Sequence, residues 1–147
     1  MSRALLDTNV VLYAIGGPHH YAEPCRRILA LAGEGALSLE APVDLVQEVM
    51  HHRTRRLGDR QQAAADAIAA AELCRLHAVE PDDAREATEM FTNFPTLSAR
   101  DAVFAAIAAR HGLMTILSAD TDFDGLPQLR RVDPADGEAV AALASPA

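Results

Sequence analysis

The thirteen basic residues of this 147-residue chain are all arginine, and lysine is missing altogether. P-loop nucleotidases, haloacid-dehalogenase phosphatases and response-regulator receivers each need a lysine beside their phosphate or aspartate chemistry, so this one absence removes all three. Cysteine is scarce as well. Cys25 and Cys74 have no CxxC spacing and no histidine cluster beside them, which argues against a zinc site or a disulfide framework and predicts two buried free thiols. No apolar stretch approaches the roughly 20 residues that a bilayer span requires. Before Asp7 the N-terminus offers one arginine and two leucines, too little for a signal or transit peptide, so the expected setting is cytoplasmic with no membrane partner. Positive charge is also lacking. The formal net charge of −8 is unsuited to a general nucleic-acid coat protein but compatible with a locally basic groove. Without an internal repeat or low-complexity block, the length fits a single domain over 1–147, with about 144–147 as a flexible tail.

What is present is an alternation of short apolar runs and helical periodicities. Residues 3–6 (RALL) predict a buried strand, and Thr8 or Asn9 caps a helix over VVLYAI that stops at Gly16, Gly17 and Pro18. Cys25, Ile28, Leu29 and Ala32 mark a helix over about 21–32. ALSL at 36–39 predicts a second strand. Pro42 then opens a helix whose buried stripe is Val43, Val46, Val49, Met50 and Leu57, ending at Gly58. An alanine-rich helix follows to about Cys74. LHAV at 76–79 predicts a third strand, Pro81 and the following aspartates open a helix to about Phe91, and 93–96 form a loop. Residues 98–111 are helical, MTIL at 114–117 is a buried strand, and Arg131 and Val132 belong to a last short one. This alternation predicts a mostly parallel α/β sheet covered on both faces, with function at the carboxyl ends of the strands.

Asp7 and Asp120 occupy two such ends, while Glu48 and Asp101 fall in helical patterns. Converging carboxylates repel one another and are costly to desolvate, so the set implies a bound cation. Each acid also has a plainer reading. Asp7 suits a helix N-cap, Glu48 an exposed helical face, and Asp101 a capping box with Ser98. Residues 120–125 (DTDFDG) match the first half of a calcium-binding EF-hand loop, but the twelfth position is Arg131 instead of glutamate. Asp120 is therefore read as a strand-end ligand with Phe123 anchoring the turn, and Asp122 or Asp124 adds a carboxylate. Ser118 either bonds a neighbouring acid or metal-bound water, or is a plain turn residue. Asp44, Glu48 and His51 resemble half of a di-iron helix pair, but the other half is missing. Arg53, Arg55, Arg56 and Arg60 form the densest basic cluster, suited to gripping phosphates or to a solvated, salt-bridged face.

In order and spacing, LLDTNVVLYAI, VQEVMHH, LSARDAVFAAIAARHG and TILSADTDFD resemble the PIN-domain family, most closely the VapC-type toxins of bacterial toxin–antitoxin pairs. The resemblance covers nearly the whole chain. It implies a PIN-like three-layer α/β fold, a central mostly parallel sheet of about five short strands with helices on both faces. It carries the family's acidic set onto Asp7, Glu48, Asp101 and Asp120, with Asn9 and Ser118 at polar accessory positions and Asp122 beside them. The implied activity is Mg²⁺-dependent hydrolysis of single-stranded or loop RNA, with Mn²⁺ able to substitute. The oxygen-only donor set is consistent with those ions. Asp7 and Asp101 would be the main ligands, Asp120 would complete the cage, and Glu48 would hold a second metal or orient the nucleophile. Products should carry 5′-phosphate and 3′-hydroxyl ends. The implied partners are a cognate antitoxin, the RNA substrate and a second copy of the chain, in a homodimer and a toxin–antitoxin hetero-oligomer. A noncatalytic PIN-like binding subunit with a structural cation is the alternative.

Overall fold

The computed structural model describes residues 2–144; the expected tail over 145–147 lies outside them, and Ala144 ends a helix. The elements run β1 (Arg3–Leu6), α1 (Thr8–Ile15), α2 (Ala22–Gly33), β2 (Ser38–Pro42), α3 (Asp44–Leu57), α4 (Arg60–Glu72) and β3 (Cys74–His77). They continue with α5 (Pro81–Asn93), α6 (Ala99–Arg110), β4 (Thr115–Leu117), a 3-10 turn (Thr121–Phe123), β5 (Arg130–Val132) and α7 (Gly137–Ala144). The strands are parallel throughout, in the order β3-β2-β1-β4-β5.

That order fixes where a site can form. The connections β1 to β2 and β2 to β3 move across the sheet one way, whereas β3 to β4 returns past β1. Right-handed crossovers therefore send α1–α4 to one face and α5–α6 to the other. Packing agrees with this split: α1 packs on α2 and α3, α3 on α4, and α5 on α6. Between β1 and β4 the direction reverses, leaving a crevice outside their carboxyl ends. Asp7 immediately follows β1 and Ser118 immediately follows β4, and the Asp7 N–H donates to the Leu117 carbonyl at 3.1 Å.

The core is aliphatic and alanine-rich. Leu5, Leu6, Leu39, Ile116 and Leu117 fill the sheet, and Phe104 and Ile107 of α6 cover it. Ala102, Ala105, Ala106 and Ala108 are buried beside them, small enough to bring the helix close to its neighbours.

Four local expectations change. β2 and β3 are displaced from 36–39 and 76–79, because pairing to β1 and β2 aligns Arg3 with Ser38 and Leu39 with Cys74. Pro42 consequently ends a strand, and α3 starts at Asp44. Its buried face is Leu45 and Val49, one turn apart, while Val43, Met50 and Leu57 of the expected stripe are exposed. Cys25 is a buried free thiol, whereas Cys74 is free but only partly covered. Burial pushes both thiols up to about 12, so neither is a nucleophile at neutral pH. Helix α7, absent from the expected elements, packs on α2. No helix among the described residues is long and apolar enough to cross a membrane.

Candidate active site

Asp7 occupies the N-cap position of α1 in extended backbone conformation, yet its side chain makes no cap hydrogen bond. Its carboxylate turns instead into the β1–β4 crevice, fully buried, where it accepts from Ser118 Oγ at 2.5 Å and Asn9 Nδ2 at 3.2 Å. Ser118 is the hub of this layer. Besides bonding Asp7 it accepts from Asn9 Nδ2 at 3.3 Å and from the Asp120 N–H at 3.0 Å, which ties the strand β1 acid to the strand β4 acid.

Asp101 keeps both roles that its local sequence allowed. Ser98 Oγ accepts from the Asp101 N–H at 3.1 Å, and Asp101 Oδ2 accepts from the Ser98 N–H at 3.4 Å, a complete capping box. The other oxygen, Oδ1, faces the crevice. Burial pushes this carboxyl group up, against the opposing pull of Arg100. Asp120 begins the 3-10 turn, accepting from the Asp122 N–H at 2.9 Å, and the fully buried Phe123 fixes that turn against the core. Carboxylate oxygens of Asp101, Asp120 and Asp122 lie within 4.8 Å of one another. That span is about twice the 2.0–2.6 Å bond from Mg²⁺ or Ca²⁺ to oxygen, so the all-oxygen trio fits a hard divalent cation. Asp124 is not part of it, since Arg131 holds it by bonds of 2.8 and 3.3 Å.

Arg100 stands in the middle of the remaining acids. Its Nε donates to Glu48 Oε2 at 2.6 Å, its Nη1 to Asp101 Oδ1 at 2.7 Å, and its Nη2 to Asp7 Oδ1. Phe104 supports the guanidinium, with the ring centroid 4.6 Å from Cζ. Burial works to depress this group, but the carboxylates of Asp7 and Glu48 outweigh it and hold Arg100 firmly charged. Glu48 has a second donor, Thr8 Oγ1 at 2.6 Å, so Thr8 clamps the α3 acid to the start of α1. Thr8 and Arg100 were not among the candidate site residues. Arg100 had a visible signal, since it directly precedes Asp101 and in a lysine-free chain arginine is the only side chain that is positively charged at every ordinary pH beside buried acids.

The basic cluster divides. Arg53 Nε donates to Asp66 Oδ2 at 2.8 Å with both side chains largely covered, so it ties α3 to α4. Arg55, Arg56 and Arg60 are exposed and make no ion pair with any described residue. Arg55 and Arg56 line an open cavity of about 550 Å³ together with Tyr13, His19 and His52.

A five-stranded parallel sheet with buried carboxylates at its central switch point defines a class of nuclease folds, and the sequence model of the PIN domain matches residues 4–129. The chain belongs to the PIN-domain family, whose nucleases are metal dependent. It is 33% identical over 132 residues to ribonuclease VapC7 of Mycobacterium tuberculosis, covering 88% of this chain and 90% of that one. It is 30% identical over 129 residues to ribonuclease VapC13 of the same organism, covering 87% and 98%. The fold is similar to that of M. tuberculosis VapC20, described as a sarcin-ricin loop cleaving toxin, with TM-score 0.68 and 19% identity over 86% of this chain and 98% of that one. It is also similar to FitAcB from Neisseria gonorrhoeae, with TM-score 0.69 and 19% identity over 90% and 99%.

Proposed function

We propose that the chain is the toxin of a type II toxin–antitoxin pair, a Mg²⁺-dependent endoribonuclease that hydrolyses phosphodiester bonds of single-stranded or loop RNA. The observation that carries this reading is the oxygen cluster of Asp101, Asp120 and Asp122 at the mouth of a crevice that also holds Asp7 and Glu48, in a relative of VapC ribonucleases. Asp101 and Asp120 hold the ion, Asp7 completes its cage, and Asp122 adds a further oxygen. Glu48 orients the attacking water or holds a second ion. A bound Mg²⁺, or Mn²⁺ in its place, activates water and neutralises charge on the phosphoryl oxygens. Ser118 and Asn9 fix the Asp7 carboxylate in one orientation by their hydrogen bonds. Arg55, Arg56 and Arg60 grip flanking phosphates and supply the locally basic surface that a chain of net charge −8 otherwise lacks. Arg53 supports that surface from behind through Asp66.

The whole chain, 1–147, acts as one PIN-like domain in the cytoplasm. It forms a homodimer and is restrained by a cognate antitoxin, in keeping with neighbours of known structure described as toxin–antitoxin complexes. The direct experiment is cleavage of end-labelled single-stranded RNA in Mg²⁺. Wild-type protein should yield 5′-phosphate and 3′-hydroxyl ends, EDTA should stop the reaction, and Asp7→Asn should slow it roughly a hundredfold or more. Cleavage by Asp7→Asn at the wild-type rate would refute the assignment of that acid. Absence of cleavage by wild-type protein under any divalent ion would favour a noncatalytic binding subunit.

A further inference from the structure

Three of the five acids assigned to the metal site share a single cation that is already part of the chain. Arg100 bonds Asp7, Glu48 and Asp101 with three different nitrogens, whereas Asp120 and Asp122 receive none of them. The arrangement has an electrostatic reason. Carboxylates of Asp7 and Asp101, buried together, repel strongly unless a positive charge lies between them. A guanidinium supplies that charge in the fork geometry that suits several carboxylates at once. A divalent ion held by the same oxygens would supply it too, and the oxygens that Arg100 occupies, Asp7 Oδ1 and Asp101 Oδ1, are among those that such an ion needs.

We infer that Arg100 is an exchangeable counter-ion of the active site: it neutralises the acids before metal loading, and the metal must displace it from Asp7 and Asp101 to bind. The structure gives the arginine somewhere to go. Its side chain is 36% exposed, so it sits at the mouth of the crevice and not beneath the acids. Helix α6 anchors its backbone next to Asp101, and Phe104 offers its guanidinium a ring face that does not depend on the acids. The ion's landing place is also present in advance, because Asp120 and Asp122 are free of Arg100 and adjoin Asp101. Loading can begin on these oxygens and proceed by exchange at Asp101 and then Asp7, without an interval in which bare carboxylates face one another. The consequence is a threshold: the arginine lowers apparent metal affinity by the strength of its own bonds. It also keeps the metal-free fold intact.

This inference rests on the metal reading of the acids, and two measurements keep the two apart. The first is Mn²⁺ binding by electron paramagnetic resonance or calorimetry on the full chain, comparing wild type with Arg100→Gln. Exchange predicts affinity roughly tenfold or more tighter in the variant. It also predicts a lower melting temperature in EDTA and a larger rise on adding Mn²⁺. Equal or weaker Mn²⁺ binding in Arg100→Gln would overturn the exchange while leaving the metal site standing. No Mn²⁺ binding by either protein would overturn both. The second measurement needs no variant to fold. The Arg100 Nη–H resonances of ¹⁵N-labelled wild type, which report its bonds to Asp7 and Asp101, should be protected in EDTA and should shift and lose protection as Mg²⁺ is added, and unmoved resonances at saturating Mg²⁺ would overturn the exchange.

Discussion

His77 Nε2 lies 2.6 Å from Glu40 Oε1, and both side chains are sealed from solvent on adjacent strands. Arg3 closes the group from the third strand, its Nε 2.5 Å and its Nη2 3.1 Å from the Glu40 oxygens. The Arg3 hydrogen bond, helped by His77, holds the Glu40 carboxyl below its ordinary value despite burial. Glu40→Ala leaves His77 without its acceptor inside the fold and should cost about 2–4 kcal/mol in urea unfolding at pH 7. Because the folded value is depressed, this contribution is complete above the ordinary carboxyl value near 4.5 and disappears as pH falls through the folded value. The wild type should therefore lose more stability between pH 5 and 3 than the variant does.

His111 stacks on His77 with ring centroids 3.6 Å apart, and its Nε2 is buried without a hydrogen-bond partner. Burial, and then the neighbouring His77 and Arg110, hold it below its ordinary value of 6.5. The unfolded chain takes up this proton first, so stability is full above about pH 6.5 and declines as pH drops toward the folded value. Melting temperatures measured from pH 8 to 5 should show the decline in wild type and a flatter profile in His111→Phe.

Asp122 and Asp124 are close in sequence but differ in engagement. Asp122 faces Asp101 and Asp120, whereas Arg131 claims Asp124. Asp122→Asn should weaken Mn²⁺ binding by roughly tenfold, since each added carboxylate charge tightens such sites. Asp124→Asn should leave that affinity within about twofold, and titration of the two variants side by side checks the contrast.

The basic cluster should separate by measurement in the same way. Arg53→Ala should lower unfolding free energy by about 1–2 kcal/mol through loss of its covered partner Asp66. Arg55→Ala and Arg56→Ala should leave stability unchanged but weaken RNA binding measured by fluorescence anisotropy in Ca²⁺. The slope of log affinity against log salt should fall by about 0.7 for each arginine removed.

Phe123→Ala should cost about 3–5 kcal/mol by emptying a fully buried site. It also releases the turn that carries Asp120 and Asp122, so Mn²⁺ affinity should fall even at temperatures where the variant remains folded.

The parts of the fold that the sequence made legible are those where local chemistry and tertiary packing agree. Leucines 5 and 6 read as buried strand and are, and Pro81 with the acids after it opens α5 as expected. Strands β2 and β3 were misplaced for an identifiable reason. Glu40 looks like the polar end of an apolar run, yet it lies inside β2, where the His77 ring that closes β3 satisfies its carboxylate from the neighbouring strand. A pairing of residues 37 positions apart has no local signature. At the site, strand-end position singled out Asp7 and Asp120, and Ser98 gave Asp101 its cap. Local pattern could not foretell that Arg100, Asp7 and Glu48 converge, because their three elements meet only through the sheet order.

The seam between β1 and β4 has a temporal meaning as well. Asp7 is made early and waits on its partners, for Ser118 lies 111 residues further along and Asp101 and Asp120 flank the same late stretch. The β1 edge that receives β4 lacks that partner until this stretch has been made, so the acids converge only after it joins the sheet. The proposed hydrolytic centre is complete only when β1 and β4 are paired, which makes closure of this seam the step on which its assembly depends.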